Sequence, residues 1–261
     1  MTGKIRILNE GFKLIGFDFV KFFNFLKGLS FYFRDFAELK KQRGESNDFY
    51  FYKYPILDER FVESGTMSGE YFHQDLYVAR RVFAENPELH LDIGSQTNGF
   101  VAHVAAFRKI EIMDIRDQKS SVKNISFKRA DLMKFPEGLE NYCDSISALH
   151  SIEHFGLGRY GDPIDFYGHI KAIKNIARML QANGVFYFSV PIGNQRIAFN
   201  AHRIFSVKYL LNILKQDFHL KYFSFVDDKG DFFENVEVTQ EKIDNNFGCN
   251  HGCGIFELIK E

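Results

Sequence analysis

The apolar positions of this chain fall into two rhythms. Phe12, Ile15, Phe19, Phe22, Leu26, Leu29 and Phe33 recur every three or four residues, the spacing that lines one face of an α-helix. Phe17, Val20 and Phe25 widen that stripe. One or two amphipathic helices are therefore predicted over residues 1–45. A further helix is predicted over Tyr71–Asn86, where Leu76, Val78, Ala79, Val82 and Phe83 are apolar and Pro87 is the stop. From His90 the rhythm changes to short apolar runs separated by helical stretches. Strands are predicted at 91–93, 110–115, 125–127, 145–149 and 185–190, with helices over 99–107 and 170–180. Such alternation gives a parallel sheet with right-handed crossovers. Two more strands, 220–226 and 254–259, are joined by a loop-rich segment, and the last is expected to insert antiparallel at the sheet's end. The expected division is a helical extension or cap over 1–87 and an α/β domain over 88–261.

Composition adds limits. With 45% hydrophobic residues among 261, the chain can bury a sizeable core. Lys and Arg total 33 against 34 Asp and Glu, so no whole-protein field draws nucleic acid, and none is expected as a partner. Residues 1–44 differ, with nine Lys/Arg against four Asp/Glu. Lys13, Asp18, Lys21 and Lys27 interrupt the apolar stretch and argue against a membrane span. Its stripe reads first as a packing face; the sharper alternative is a helix lying on an anionic membrane surface through residues 1–45. Three cysteines, Cys143, Cys249 and Cys253, point away from a disulfide framework and toward a reducing compartment. With no signal peptide read at the N-terminus, a cytoplasmic protein is expected, peripheral at the inner face of the membrane if the sharper alternative holds. Nothing in the sequence sets the oligomeric state.

Candidate chemistry gathers at predicted strand ends, where open parallel sheets bind ligands. The first end carries Asp92-Ile93-Gly94-Ser95-Gln96-Thr97-Asn98-Gly99. Asp114 ends the second strand 22 residues on, where an acid accepts from ribose hydroxyls. Asp131 follows the third strand and can accept from an adenine amine. This order of acid-glycine loop, ribose acid and adenine acid resembles class I S-adenosylmethionine-dependent methyltransferases over roughly residues 88–259. The resemblance implies a Rossmann-like three-layer α/β fold, mostly parallel with an antiparallel last strand. It places Asp92, Gly94, Ser95, Asp114, Ile115, Asp131, Leu132 and His150 around the cofactor. Only Gly94 fits the usual Asp-x-Gly-x-Gly-x-Gly loop, since Gln96 and Asn98 hold the later glycine positions and Gly99 is out of register.

Four strings, Tyr71-Phe72-His73-Gln74-Asp75, His150-Ser151-Ile152-Glu153-His154, Gly156-Leu157-Gly158-Arg159-Tyr160-Gly161-Asp162 and Phe199-Asn200-Ala201-His202-Arg203, resemble an uncharacterised methyltransferase-like family often linked to bacterial surface-glycan gene clusters. That likeness implies O-methylation of a small-molecule or lipid-linked sugar acceptor. His73, Gln74, Asp75, Arg159, Tyr160 and Arg203 are then expected near the acceptor, with Arg159 able to clamp a phosphate or carboxylate. His154, Glu153 and His202 are the catalytic candidates. Two mechanisms stay open. In one, His154 or His202 is a general base oriented by Glu153. In the other, His150, Glu153, His154 and His202 hold a divalent ion that activates the acceptor hydroxyl; this resembles the Glu-x-x-Glu-His string of some class I O-methyltransferases. Cys249-x-His251-x-Cys253 fits common zinc spacings poorly and reads as a turn. A nicotinamide dehydrogenase is disfavoured by the missing Gly-x-Gly-x-x-Gly. The non-enzymatic rival is a Rossmann-like interaction module in a membrane-associated glycan assembly.

Overall fold

The computed structural model describes residues 18–46, 48–57, 59–61 and 64–261. The chain separates into two units, Met1–Thr66 and Met67–Glu261. In the first, α1 (Phe19–Arg43) ends on Lys40, Lys41 and Arg43, cations that suit the negative end of the helix dipole. An extended segment crosses α1 where Gly28 leaves no side chain, since a Cβ there would collide with Leu57. Arg60 fastens the crossing, bonded to Asp35 at 2.6 Å and lying over the Phe31 ring. Of the predicted apolar stripe, Phe22, Phe25, Leu26 and Phe33 are exposed. Phe12, Ile15, Phe17 and the side chain of Val20 lie outside the described residues. Among the described residues no helix is long and apolar enough to cross a membrane.

The second unit opens with α2 (Glu70–Glu85), which closes on a left-handed Asn86 before Pro87. Then come β1 (His90–Ile93), a short π segment (Thr97–Val101) running into α3 (Ala102–Ala105), β2 (Ile110–Asp114), β3 (Ile125–Arg129) and β4 (Cys143–Leu149). After these follow α4 (Gly168–Met179), β5 (Leu180–Ile192), a hairpin of β6 (Arg196–Ala198) and β7 (His202–Ile204), and α5 (Val207–Leu214). The chain finishes with β8 (Phe218–Val226), β9 (Phe232–Phe233), α6 (Gln240–Asp244) and β10 (Gly252–Lys260). The main sheet runs β3-β2-β1-β4-β5-β10-β8-β9. Strands β1 to β5 are parallel neighbours, and β10 is antiparallel to both β5 and β8.

This is the Rossmann-like class I methyltransferase fold that the sequence leads one to expect, with one correction. The antiparallel strand does not sit at the sheet's end; β10 wedges between β5 and β8. Its centre is buried on both faces through Ile255, Phe256, Glu257 and Leu258, which an edge position would have left half wet. The hairpin β6–β7 and helix α5 were not anticipated, although Val207, Leu210, Leu211 and Leu214 of α5 recur at helical spacing. Two apolar cores flank the sheet. Tyr77, Val78, Ala79 and Val82 of α2 pack with Phe100 and Val104 on one face. Ile173, Ile176 and Met179 of α4 pack with Leu210 and Leu214 of α5 on the other. Helices on both faces leave the carboxyl ends of β1, β2 and β4 as the place where loops converge.

One buried charge fixes α2 on its face. Glu257 of β10 is 1% exposed and takes both fork nitrogens of Arg81, at 2.8 and 2.9 Å, plus Lys221 at 3.0 Å. Glu257→Ala leaves Arg81 and Lys221 with Glu85 as their remaining carboxylate and removes charge-assisted bonds to a buried acceptor, so unfolding free energy should fall by about 2 kcal/mol in urea titration. A loss below about 0.5 kcal/mol would mark the cluster as an ordinary surface pair.

Candidate active site

β1 is buried along its whole length and delivers the chain to Gly94 at φ 68°. That left-handed turn suits glycine, and the turn is tight as well, with a Cβ at 94 falling 3.1 Å from the Cβ of Ser151. Gly94 N donates to Met113 O at 2.9 Å. Gln96 and Asn98, in the later glycine positions, bring the chain into the π segment. Gly99 serves packing instead, since a Cβ there would strike the Asp75 carboxylate of α2.

Beneath this loop runs a buried polar chain. Ser145 Oγ donates to His90 Nδ1 at 2.7 Å, and His90 Nε2 donates to Ser147 Oγ at 3.1 Å. Ser147 Oγ donates to Asp92 Oδ1 at 2.6 Å. Asp92 also accepts from Ser95 N at 3.1 Å and Ser95 Oγ at 2.5 Å, while Ser95 Oγ accepts from Leu149 N. Burial raises the Asp92 pKa to about 6, with the serine hydrogen bonds opposing. Burial likewise lowers the His90 pKa to about 3, so its ring is neutral, as the Nε2–H tautomer of this chain requires. Asp92 therefore holds β1, β4 and the glycine loop in register.

A cavity of about 680 Å³ opens above, lined by Asp92, Gly94, Ser95, Asp114, His150, His154, Arg159, Tyr160 and Tyr71 among others. A narrower slot adjoins it, lined by Ile115, Ala130, Asp131, Leu132, Met133 and Phe155, and the two share Gly94, Asp114, Arg116 and Tyr160. All eight residues expected around the cofactor thus line the connected cavities. Asp131 Oδ1 accepts from Met133 N at 3.0 Å. Asp114 is engaged by Arg116: Oδ1 accepts from its N and Nε at 2.8 and 2.9 Å, and Oδ2 from Nη2 at 2.6 Å.

The histidine cluster follows β4. His150 has φ 50° and is buried, with Nδ1 bonded to Glu153 Oε1 at 2.9 Å. Burial opposes its cation, but Cys253 and then Glu153 beside it outweigh that, so its pKa stands well above the ordinary histidine range. Residues 152–154 form a short 3-10 turn. His154 Nδ1 donates to Ala201 O at 2.6 Å, and its Nε2 lies 3.7 Å from Glu153 Oε1. Burial depresses the His154 pKa. His202 stands behind His154, ring centroids 6.4 Å apart, and stacks on His251 at 5.2 Å.

The divalent-ion site expected of His150, Glu153, His154 and His202 is not assembled. His150 Nδ1 is taken by Glu153, His154 Nδ1 by a carbonyl, and His202 faces His251 rather than a common centre. Among the described residues no group of three or more His, Cys, Asp or Glu side chains is arranged to hold a metal ion.

Arg203 is buried and donates to the carbonyls of Glu153, Phe155, Asp165 and Phe166. It fastens hairpin β6–β7 to the loop after β4, a structural task that keeps it from the cavity. Asp162 shapes the same loop by accepting from Gly156, Gly158 and Tyr160 N. Arg159 and Tyr160 do line the cavity. From α2, Tyr71 lines it, with its ring 5.0 Å from that of His150. His73 instead stacks on Phe232, Gln74 accepts from Ser189 Oγ, and Asp75 abuts Gly99 with its pKa raised to about 6 by burial. Sequence reasoning passed over Tyr71, Arg116, His90, Ser145 and Ser147. The last three had a signal, because His90 and Asp92 on one strand and Ser145 and Ser147 on the next share period-two faces.

The crystal structure of the [4+2]-cyclase SpnF aligns with a TM-score of 0.50 at 16% identity, covering 72% of this chain and 80% of that one. The N-methyltransferase NodS from Bradyrhizobium japonicum WM9, in complex with S-adenosyl-L-homocysteine, aligns at 0.47 and 12% identity, over 85% of this chain and 97% of that one. The 1,6-didemethyltoxoflavin-N1-methyltransferase of Burkholderia thailandensis aligns at 0.48 and 14%, over 72% and 78%. The likeness to SpnF is one of fold. No curated protein sequence matches the chain. A family model matches residues 91–248, more than half of the chain, which therefore belongs to the family described as Caenorhabditis protein of unknown function, DUF268.

Proposed function

We propose that this protein is an S-adenosylmethionine-dependent methyltransferase acting on a hydroxyl of a sugar or glycan-related acceptor. The observation that carries the reading is the cavity at the carboxyl ends of β1, β2 and β4, with Asp114 and Asp131 on its wall. Its volume suits a ligand of nucleoside size. Gly94 lets backbone approach a ligand, Asp114 can accept from a ribose diol, and the slot of Ile115, Leu132 and Met133 beside Asp131 suits an adenine ring. Ser151 Oγ, buried on the slot wall, has no protein partner and is left for a ligand. Bound there, S-adenosylmethionine supplies an electrophilic methyl group.

The chain's own contribution is proton handling and alignment. His154 carries its proton on Nδ1, held by Ala201 O, so Nε2 keeps its lone pair for an acceptor hydroxyl. Glu153 beside Nε2 stabilises the imidazolium that forms. Tyr71 and Tyr160 offer aromatic faces for the apolar side of a sugar ring. The acceptor class rests on these faces and on the family likeness of the four strings. The non-catalytic interaction module is favoured by one observation, the Arg116 fork on Asp114, and cofactor binding separates the two.

The exposed Phe22, Phe25, Leu26 and Phe33 of α1, with the basic surplus of its region, support contact with an anionic membrane surface. The full chain should then co-sediment with anionic vesicles and be released by salt, while a chain lacking residues 1–45 should not. Equal behaviour of both would assign the stripe to packing.

S-adenosylhomocysteine should bind in calorimetry, and Asp114→Ala should weaken it by about 1.5–3 kcal/mol, the scale for hydrogen bonds to a charged group. Absence of binding at millimolar ligand would contradict an enzyme. With a sugar acceptor in hand, the rate should fall on the acid side with an apparent pKa below the ordinary histidine value, because burial lowers that of His154. His154→Gln should remove that acid limb and lower kcat by about 10²–10⁴ with cofactor affinity unchanged. An acid limb that survives in His154→Gln would place the base elsewhere.

A further inference from the structure

We propose that Arg116 and Arg159 form a site for an oxyanion, phosphoryl or carboxylate, carried by the acceptor, and that a ribose diol on Asp114 opens it. The inference rests on the cofactor reading above and deepens it.

Arg116 and Arg159 both line the 680 Å³ cavity, and their guanidinium carbons lie 4.2 and 5.2 Å from the centre of one ring, that of Tyr160. Arg159 donates from Nη1 to Ala201 O, and among the described residues no carboxylate pairs with it. Among the described residues Arg116 forms an ion pair with Asp114 alone. The other carboxylates lining or beside the cavities are engaged elsewhere: Asp117 with Arg129, Glu153 with His150, Asp92 with Ser95 and Ser147, and Asp131 and Asp162 with backbone N–H groups. Whatever opens the pair of Arg116 and Asp114 therefore leaves two under-neutralised guanidinium groups at one end of the cavity.

A ribose diol does so by hydrogen-bond capacity. Each carboxylate oxygen accepts about two hydrogen bonds. Asp114 Oδ1 already takes two, from N and Nε of Arg116, and Oδ2 takes one. A hydroxyl donating to each oxygen needs a place on Oδ1, and only the side chain can yield it, since Arg116 N is fixed by the chain. The fork must then open at Nε, leaving Nη2 to share Oδ2 with a hydroxyl, so Asp114 no longer neutralises the guanidinium as a bidentate pair. The Tyr160 ring, over which the guanidinium already lies, keeps it in the same cavity beside Arg159. A guanidinium opened from its carboxylate in this way selects a phosphoryl or carboxylate group, which its fork matches. Cofactor and anion thus favour each other, and the coupling is reciprocal.

The test measures the affinity of S-adenosylhomocysteine by calorimetry in chloride, in inorganic phosphate and in acetate, at one ionic strength so that screening is constant. Phosphate, acetate or both should tighten binding by about fivefold or more, and the stronger arm tells phosphoryl from carboxylate. In Arg116→Gln the affinity in chloride should rise above the parent's, because the competitor for Asp114 is gone, and the anion effect should vanish. Arg159→Gln should lose most of the anion effect. Equal affinity in all three salts, or an anion effect that survives in Arg116→Gln, would overturn the proposal while leaving the cofactor reading intact. No binding of S-adenosylhomocysteine in any salt would remove both.

Discussion

A carboxylate out of reach of water decides the shape of this site. Asp92 is 1% exposed, and a buried carboxylate is tolerated only where donors surround it. Here they come from two places, Ser147 on β4 and Ser95 in the loop above. Satisfying Asp92 therefore sets the register of β1 on β4 and pins the loop in one stroke. Gly94 follows from this, since the chain must turn back sharply for Ser95 to reach down. His90 and Ser145 extend the same chain toward the amino ends of the strands. The charge faces inward, which leaves Asp114 and Asp131 as the carboxylates turned to a ligand.

The sheet explains why loops from distant parts of the sequence meet over that carboxylate. Parallel strands β1, β2 and β4 all end on one side, and crossover helices on both faces keep that side open. Arg203 ties hairpin β6–β7 to the loop after β4, which sets Ala201 O against His154. The imidazole tautomer on which the proposed proton transfer depends is thus fixed by an arginine that never meets the cavity. A buried cation contented by four carbonyls is a rigid way to join two loops.

Much of the fold was legible because period and punctuation agree. The β-branched and aromatic run before Pro191, the acids ending β1 and β2, and Pro87 after α2 each report a local constraint. The position of β10 was not legible, because inserting a strand between β5 and β8 depends on pairing across the whole domain rather than on its own residues. The site divides in the same way. Acids at strand ends carry their meaning in sequence order, so the cavity wall could be anticipated. His73, Gln74 and Asp75 sit on one string, and Gln74 and Asp75 share a helix face with Tyr71; they lie one turn further along it and are buried, while Tyr71 in the first turn lines the cavity. Arg116 gave no signal, since its partner choice between Asp114 and a ligand is a matter of side-chain geometry.

The central claim is that the cavity over Asp92 receives the cofactor through Asp114 and Asp131. A crystal structure of the protein with S-adenosylhomocysteine tests it most directly. The account predicts the ribose hydroxyls on the Asp114 carboxylate, with Nε of Arg116 off Oδ1, and the adenine in the slot of Ile115 and Met133 beside Asp131. A ligand bound elsewhere, or one in the cavity with the Arg116 fork still closed on both oxygens of Asp114, would contradict it.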